Sequence, residues 1–442
     1  MKIKSIPAAI RGALVLGAGL AASSAFGGYD VHSKGDTKLA FNLDAAAAAF
    51  ANKDSWFGES NAFLGNTTDN WSEYGVEPRL SLEMPVAGGT AFGQLSGVYT
   101  RTESDDASGL TIGSDDTDDF NTEQRHIGWK TDNLFEGLEN DSISISAGRQ
   151  DYKIGTGMLI ADGGSDGGHF GGWFIGMRSA FKGAVIASLK SDEMLLEGFR
   201  LENRPRRGGT EGEAYGANAE YTFFDSTKLG ATYIVADPNV PGLDELDVYD
   251  ARLDWTPGGA LEGLSISGEF AREDSEQIEA DGWFGEVGWR TKEICWTPTF
   301  SYRYAHFDGD DPSTPEDEQF REIAYGFDDY GSWFQGEITG SYPLTNGNVL
   351  SHRLRVEMQP TGSVTLNVMY YDFTLDQKQI WGTPVSSDDW GQELNFTLDW
   401  AATEQIHVIG ILANLAPGDA AKEWTGGEED WLYSMLYVSY TY

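Results

Sequence analysis

What the chain lacks narrows the field first. It has one cysteine, Cys295, in 442 residues, so no intramolecular disulfide can brace it. That cysteine precedes Trp296 at the start of a strand-like run, and the expectation is a buried small hydrophobe. Beyond the first two dozen residues no stretch approaches about 18 consecutive apolar residues, so no helix is expected to cross a membrane. Basic residues are scarce, 30 against 70 acidic, giving a formal net charge of −40. Such a chain repels phosphate backbones, and nucleic acid is excluded as a partner. The six histidines (32, 126, 169, 306, 352, 407) have no metal-ligand spacing, and there is no HExxH, P-loop or CxxC. No cofactor and no metal are therefore expected. A Pro- or Ser-rich linker is also missing, so one domain is expected.

The N-terminus carries an address. Lys2, Lys4 and Arg11 form a basic start, GALVLGAGLAA (12–22) is apolar, and Ser23-Ser24-Ala25 offers small residues. That is the layout of a secretory signal peptide, with cleavage expected after Ala25 and a single domain over 26–442. A retained N-terminal anchor helix is the alternative.

After the leader, the dominant period is two. VYDARLDW (248–255) puts Tyr249, Ala251, Leu253 and Trp255 on one face and Asp250, Arg252 and Asp254 on the other. LSISGEF (264–270), GQELNFTLDW (391–400), EPRLSLEMPV (77–86), SISISAG (142–148), EAYGANAEYTF (213–223), GWFGEVGWR (282–290), HRLRVEM (352–358) and SVTLNVMYYDF (363–373) alternate likewise. Alternation over this many segments predicts strands. The closing LYSMLYVSYTY (432–442) aligns Leu432, Leu436, Val438, Tyr440 and Tyr442 on one parity, an apolar row that needs an apolar neighbour for its whole length.

The connections are of two kinds. PVAGG (85–89), FFDST (223–227), TPGGALEG (256–263), QPTG (359–362) and AATEQ (401–405) are tight turns. TESDDASGLTIGSDDTDDFN (102–121) carries seven Asp/Glu and DGDDPSTPEDEQ (308–319) six, with no Lys or Arg in either. Short turns at one end and long loops at the other predict an all-β fold, a transmembrane antiparallel up-and-down β-barrel with periplasmic turns and acidic extracellular loops. Closure satisfies every strand edge where lipid offers no hydrogen bonds. Counting back from the C-terminus gives twenty strands if REIAYGF (321–327) is one and the Ala-rich 37–50 another, so 18–20 is the range. Trp129, Trp255, Trp283, Trp289 and Trp400 lie near strand ends as girdle residues do. The last strand is expected to face lipid and end at the periplasmic rim. A secreted β-sandwich is the bland alternative.

Longer stretches resemble a known family. FDDYGSWFQGEITGSYPLTNGNVLSHRLRVEMQPTGSVTLNVMYYDFTLD (327–376), WGQELNFTLDW (390–400) and the LAPG run (415–418) resemble, in this order, the alginate-export family of outer-membrane porins. SAGRQDYKIGTGMLIADG (146–163) and AFKGAVIASLKSDEMLLEGFRLENRP (180–205) look like its Gly-Arg-Gln strand end and the next hairpin. The resemblance implies an eighteen-stranded monomeric barrel in the outer membrane, with an arginine-lined lumen that passes polyuronates. Its Trp-rich segment after 327 is implied to be a strand.

Opposite the apolar rows lie the candidate substrate-pathway residues Arg79, Lys130, Arg252, Arg290, Arg303, Arg353 and Arg355. Inward acids are about as numerous: Glu83, Asp254, Glu269, Glu286, Glu337, Glu357, Glu393 and Asp399. The planar guanidinium suits carboxylate recognition, yet cross-strand pairing is an equal alternative, above all for Arg252 between Asp250 and Asp254. Arg353 and Arg355 outnumber Glu357 on their strand. Arg149 of the Gly-Arg-Gln match falls on the lipid parity, which requires a rim position or a bulge. Clusters at Asp115, Asp116, Asp118, Asp119 and at Asp308, Asp310, Asp311 bridge divalent ions to lipopolysaccharide or are solvated surface. GGSDG (163–167) matches G-x-S-x-G with Ser165 and a possible base His169, but no helix follows, and a loop folding into the pore is the better reading. The expectation is a non-enzymatic channel for hydrophilic, anionic, uronate-type saccharides, with a general porin as the alternative and a surface receptor or hydrolase third. Its partners would be outer-membrane lipid and lipopolysaccharide, the solute, and the barrel-assembly machinery through the C-terminal strand.

Overall fold

The computed structural model describes residues 28–59, 70–104, 117–132, 140–164, 170–203, 212–224, 226–237 and 245–442. The expected signal peptide, residues 1–25, lies outside them. A short strand β1 (Tyr29–Lys34) precedes β2 (Thr37–Lys53), β3 (Asn70–Val86), β4 (Gly89–Glu103), β5 (Thr117–Thr131) and β6 (Ile143–Gln150). Next come β7 (Phe181–Lys190), β8 (Met194–Glu202), β9 (Glu213–Phe223), β10 (Thr227–Asp237), β11 (Leu246–Trp255), β12 (Leu264–Asp274), β13 (Glu279–Arg290) and β14 (Thr299–Phe307). Two-residue strands β15 (Asp328–Asp329) and β16 (Ser332–Trp333) form a small hairpin before β17 (Val349–Thr361) and β18 (Val364–Leu375). A second, β19 (Gln379–Ile380) with β20 (Thr383–Pro384), precedes β21 (Asp389–Ala401), β22 (Ile406–Pro417), the short helix α1 (Asp419–Thr425) and β23 (Trp431–Thr441).

Among the described residues nineteen strands share one sheet, and β1 touches only β2. The other eighteen run antiparallel to their neighbours and close where β23 pairs with β2. Closure continues to the last residue, where the amides of Leu43 and Tyr442 each donate to the other's carbonyl, at 3.0 and 2.9 Å. The alanines of β2, poor strand formers by propensity, sit between bulkier neighbours. Ala47 lies opposite Tyr74 on one side and Val438 on the other. Small residues let the seam strand fit between two crowded ones.

Parity divides the wall as alternation requires. Tyr249, Leu253, Phe270, Phe396, Trp400, Leu432, Leu436 and Val438 are exposed on the outside, while Asp250, Arg252, Glu269, Glu393 and Asn395 are buried within. The short connections lie at one end; Ala87 (φ 48°) and Gly88 (φ 73°) form a two-residue hairpin turn of the left-handed kind.

Two long connections, over the described residues 151–164 and 170–180 of the first and 308–348 of the second, fold inward and fill the lumen with buried apolar residues, including Met158, Ile160, Ile175, Phe327, Phe334 and Ile338. They grip each other through backbone: Ala161 donates to Ala324 (2.7 Å), Ala324 to Leu159 (2.9 Å) and Gly326 to Gly157 (3.2 Å). This corrects the strand tally. Residues 321–327 are no wall strand; their alternation is satisfied against 157–162 inside the barrel. Nor is the Trp-rich segment a strand of the wall, because Tyr330, Gly331 and Gly336 adopt positive φ and turn the chain repeatedly. Eighteen is the count. Cys295 is also corrected. It is exposed, in the connection 291–298, where Trp296 (φ 66°) and Thr297 (φ 45°) bend the backbone away from strand geometry.

Candidate functional site

One stretch of wall collects most of the inward cations. Strand register sets Arg252 of β11 beside Glu269 of β12, Glu286 of β13 beside Arg303 of β14, and Arg303 beside Arg353 of β17. Arg355 follows two residues on, beside Ser301. Glu286 binds Arg353 at 2.6 Å and lies 3.9 Å from Arg355, while Glu357 takes Arg355 at 2.7 Å. Arg355 also donates to Ser301 (3.1 Å). Arg252 is ion-paired to Asp250, lies 3.5 Å from Glu220, and donates to Thr232 (2.8 Å) and Asn218 (2.6 Å). The two arginines of β17 therefore meet a carboxylate from β13 as well as the one on their own strand. Only the tertiary pairing brings Glu286 to them.

Above these cations lie aromatic rings from the 308–348 connection. Tyr330 covers Arg355, its ring centroid 3.4 Å from the guanidinium carbon, and Phe334 covers Arg303 at 3.5 Å. Arg303 also donates to the Phe334 carbonyl. Such face-on cation–π contacts gain strength when desolvated. Arg303 and Arg353 are 0% exposed and Arg355 5%, so in this arrangement solvent barely touches them. Next to them is a cavity of about 300 Å³ lined by Lys153, Lys228, Arg252, Asp254, Arg303 and Tyr330, among others. Lys228 shares the inward parity of β10 and was findable from the alternation. Lys153 and Tyr330 come from inward loops, which no strand pattern announces.

The remaining candidates lie elsewhere on the wall. Arg79 is paired with Asp44 and sits 3.6 Å from Glu77. Lys130 bridges Glu83 (3.2 Å) and Asp141 (3.1 Å). Arg290 donates to Gln359 (2.8 Å) near the short-turn end. Arg149 sits at a register shift between Gly148 and Gln150, where Gly148 has φ 130°, and its guanidinium donates to the Thr122 carbonyl at 2.6 Å. Arg149 keeps its register opposite the exposed Arg125 of β5 and so stays on the outer parity, at the end of its strand beside an irregularity in the pairing with β7. Arg178, in the 151–180 connection, is buried and donates to Thr100 (2.8 Å) and the Asp119 carbonyl (3.0 Å), fastening that loop to the wall.

At the long-loop end a cavity of about 750 Å³ lies among Asp310, Asp317, Arg321, Glu322, Asn346 and Gln379. On the outer face of the same rim, His306, Asp308 and Asp376 bring one donor atom each within 4.8 Å of one another. Oxygen-rich sets of this kind suit hard divalent cations. Internal hydrogen bonds already occupy this one: His306 to Asp376 (3.0 Å), Gly309 N–H to Asp376 (3.0 Å) and Asp281 N–H to Asp308 (2.7 Å). Burial pushes the Asp308 carboxyl above the ordinary range despite that amide. Burial acts the same way on Asp376, but the His306 and Gly309 hydrogen bonds outweigh it and hold its pKa below the ordinary range. Asp115 and Asp116, like Ser165 and His169, lie outside the described residues, whereas Asp118 and Asp119 belong to β5.

A closed antiparallel wall, apolar outside and charged within, with short turns at one end and inward-folded long loops from the other, defines an outer-membrane β-barrel porin. Residues 236–431 match the family model described as alginate export, the family that the sequence resembles. It resides in the bacterial outer membrane. No curated protein sequence matches it. Among solved structures it is similar to OccK9 (OpdG) of Pseudomonas aeruginosa, at 13% identity and TM-score 0.59 over 91% of this chain and 98% of that one. It is similar also to OccAB4 of Acinetobacter baumannii, at 12% identity and TM-score 0.56 over 91% and 97%. A third is OccK2 (OpdF) of Pseudomonas aeruginosa in complex with glucuronate, at 13% identity and TM-score 0.57 over 92% and 98%. At these identities the likeness is one of fold.

Proposed function

We propose that this outer-membrane channel passes hydrophilic, anionic solutes of the uronate-saccharide class by passive diffusion. The observation that carries the reading is the lumen cavity where Lys153, Lys228, Arg252 and Arg303 meet the ring of Tyr330. Guanidinium forks donate bidentately to carboxylates, and an aromatic face beside them suits the apolar face of a sugar ring. Two likenesses support it: the alginate-export pattern over 236–431, and a glucuronate-bound protein of the same fold. The channel would act as a monomer without catalysis, in contact with lipopolysaccharide, and its C-terminal strand would engage the barrel-assembly machinery.

A second reading, a weakly selective general porin, draws on the acids of the same cavity. Glu220, Asp254, Glu286 and Asp328 face the four cations and cancel their formal charge. Single-channel recording under a salt gradient, with and without an oligouronate, separates the two. Anion preference with transient block supports the uronate pathway. Absence of block, with permeability following bulk mobility, overturns it in favour of the general porin.

A further inference from the structure

One buried carboxylate of the wall holds the turn of the plug over the arginines, beside side-chain ties from Thr397 (2.9 Å) and Asn367 (3.4 Å) to the Tyr330 carbonyl. Glu393, on the inward parity of β21, is 0% exposed. Its two oxygens accept the consecutive backbone amides of Ile338 and Thr339, each at 2.9 Å. Those amides open a helix-like turn, in which Gly340 N–H donates to the Gly336 carbonyl and Tyr342 N–H to the Ile338 carbonyl, both at 3.1 Å. The carboxylate thus caps a buried chain turn whose amides would otherwise lack acceptors, and leaving such groups unsatisfied is costly. Gly336 makes the approach possible: it has φ +81°, and a Cβ there would stand 2.7 Å from a Glu393 oxygen.

The same device recurs around the wall. Glu73 accepts the amides of Phe174 (2.7 Å) and Ile175 (3.2 Å), Glu123 that of Ala180 (2.8 Å), and Glu273 that of Arg321 (3.0 Å). Each ties one of the two lumen loops by its backbone. The Glu393 tie differs in what it holds down, because the segment it fixes carries Tyr330 and Phe334, which lie on Arg355 and Arg303.

We propose that Glu393, with Gly336, is a positioning residue that latches segment 327–345 over Arg303, Arg353 and Arg355, and so sets how much of the arginine row a solute meets. The inference rests on the channel reading but not on the identity of the solute. A glutamine at 393 keeps size but offers one acceptor oxygen where two amides converge, and its NH₂ group opposes the second amide. Releasing the latch loosens the segment, which Thr397 and Arg303 still hold at the carbonyls of Tyr330 and Phe334, and so admits water to the guanidinium groups and widens the anion path.

The test combines accessibility with conduction. Thr339→Cys, in a Cys295→Ser background, reports the buried turn to a membrane-impermeant thiosulfonate, and single-channel recording reports the pore. With Glu393→Gln the modification rate is expected to rise roughly 10- to 100-fold, the population change that loss of one hydrogen bond to a charged group allows. Conductance and anion preference should rise with it. Gly336→Ala, which crowds the same carboxylate from the other side, should do likewise, with folding of both variants checked by heat-modifiable mobility. Unchanged modification and unchanged conductance in the folded variants overturn the latch. A faster modification rate without any oligouronate block in any variant keeps the latch and removes the uronate reading instead.

Discussion

Arg303 and Arg353 face each other across neighbouring strands β14 and β17, two cations at one register position. Like charges placed so are destabilising, and the carboxylate of Glu286, register partner of Arg303 and 2.6 Å from Arg353, relieves them. Removing one member of a buried ionic group leaves uncompensated charge at a cost of about 3–5 kcal/mol. Glu286→Gln should therefore lower the urea concentration that unfolds the barrel. It should also raise the anion-to-cation permeability ratio in bilayer recordings. A change in neither would mean that Glu286 does not set the charge of this wall.

Arg353→Ala combined with Arg355→Ala acts in the opposite direction. The permeability ratio should fall and oligouronate block should weaken about tenfold or more, as expected when hydrogen bonds to charged groups are lost. Because Tyr330 shields Arg355, the effect should be larger in the Glu393→Gln background than in the wild type. A double-mutant cycle on the blocking constant measures that coupling.

The outer face has its own energetics. Leu412 of β22 is exposed on the lipid parity, between Phe396 of β21 and Ser434 of β23. A basic side chain on the lipid face costs about 2–4 kcal/mol near the midplane and little near the interfaces. Leu412→Arg should lose stability in that range when folding into vesicles is titrated with urea. A cost near zero would place this part of β22 outside the hydrocarbon.

Cys295 provides a topological mark. It is exposed in the connection 291–298 at the short-turn end, which faces the periplasm in such barrels. A maleimide on a polymer too large for the pore should label it in permeabilised cells and leave it unlabelled in intact ones. Labelling of intact cells would reverse the orientation of the wall.

Much of this protein was legible in the chain. GQELNFTLDW (391–400) already separates Leu394, Phe396 and Trp400 from Glu393, Asn395 and Asp399, and the strand that forms there keeps that division. The terminal row of Leu432, Leu436 and Val438 lies on the outer face as its parity requires. Alternation reports which side a residue faces because successive side chains point to opposite faces of any strand, whatever that strand pairs with.

Partnership is what the chain leaves open. REIAYGF (321–327) alternates like a wall strand, yet it hydrogen-bonds with 157–162 in the lumen, since a local pattern looks the same whether its neighbour is a strand or a loop. Glu286 and Arg353 are 67 positions apart, and only register brings them within 2.6 Å. Glu393 reads as one more inward acid until the turn at Ile338 and Thr339 is folded onto it. The sequence by itself determined the strands, the two faces and the excess of acid in the loops, because these follow from neighbours along the chain. The tertiary structure settled the strand count at the eighteen that the resemblance implied, and it alone decided the carboxylate partners of the arginines and the loop folded over them, because each depends on contacts between residues far apart in the chain.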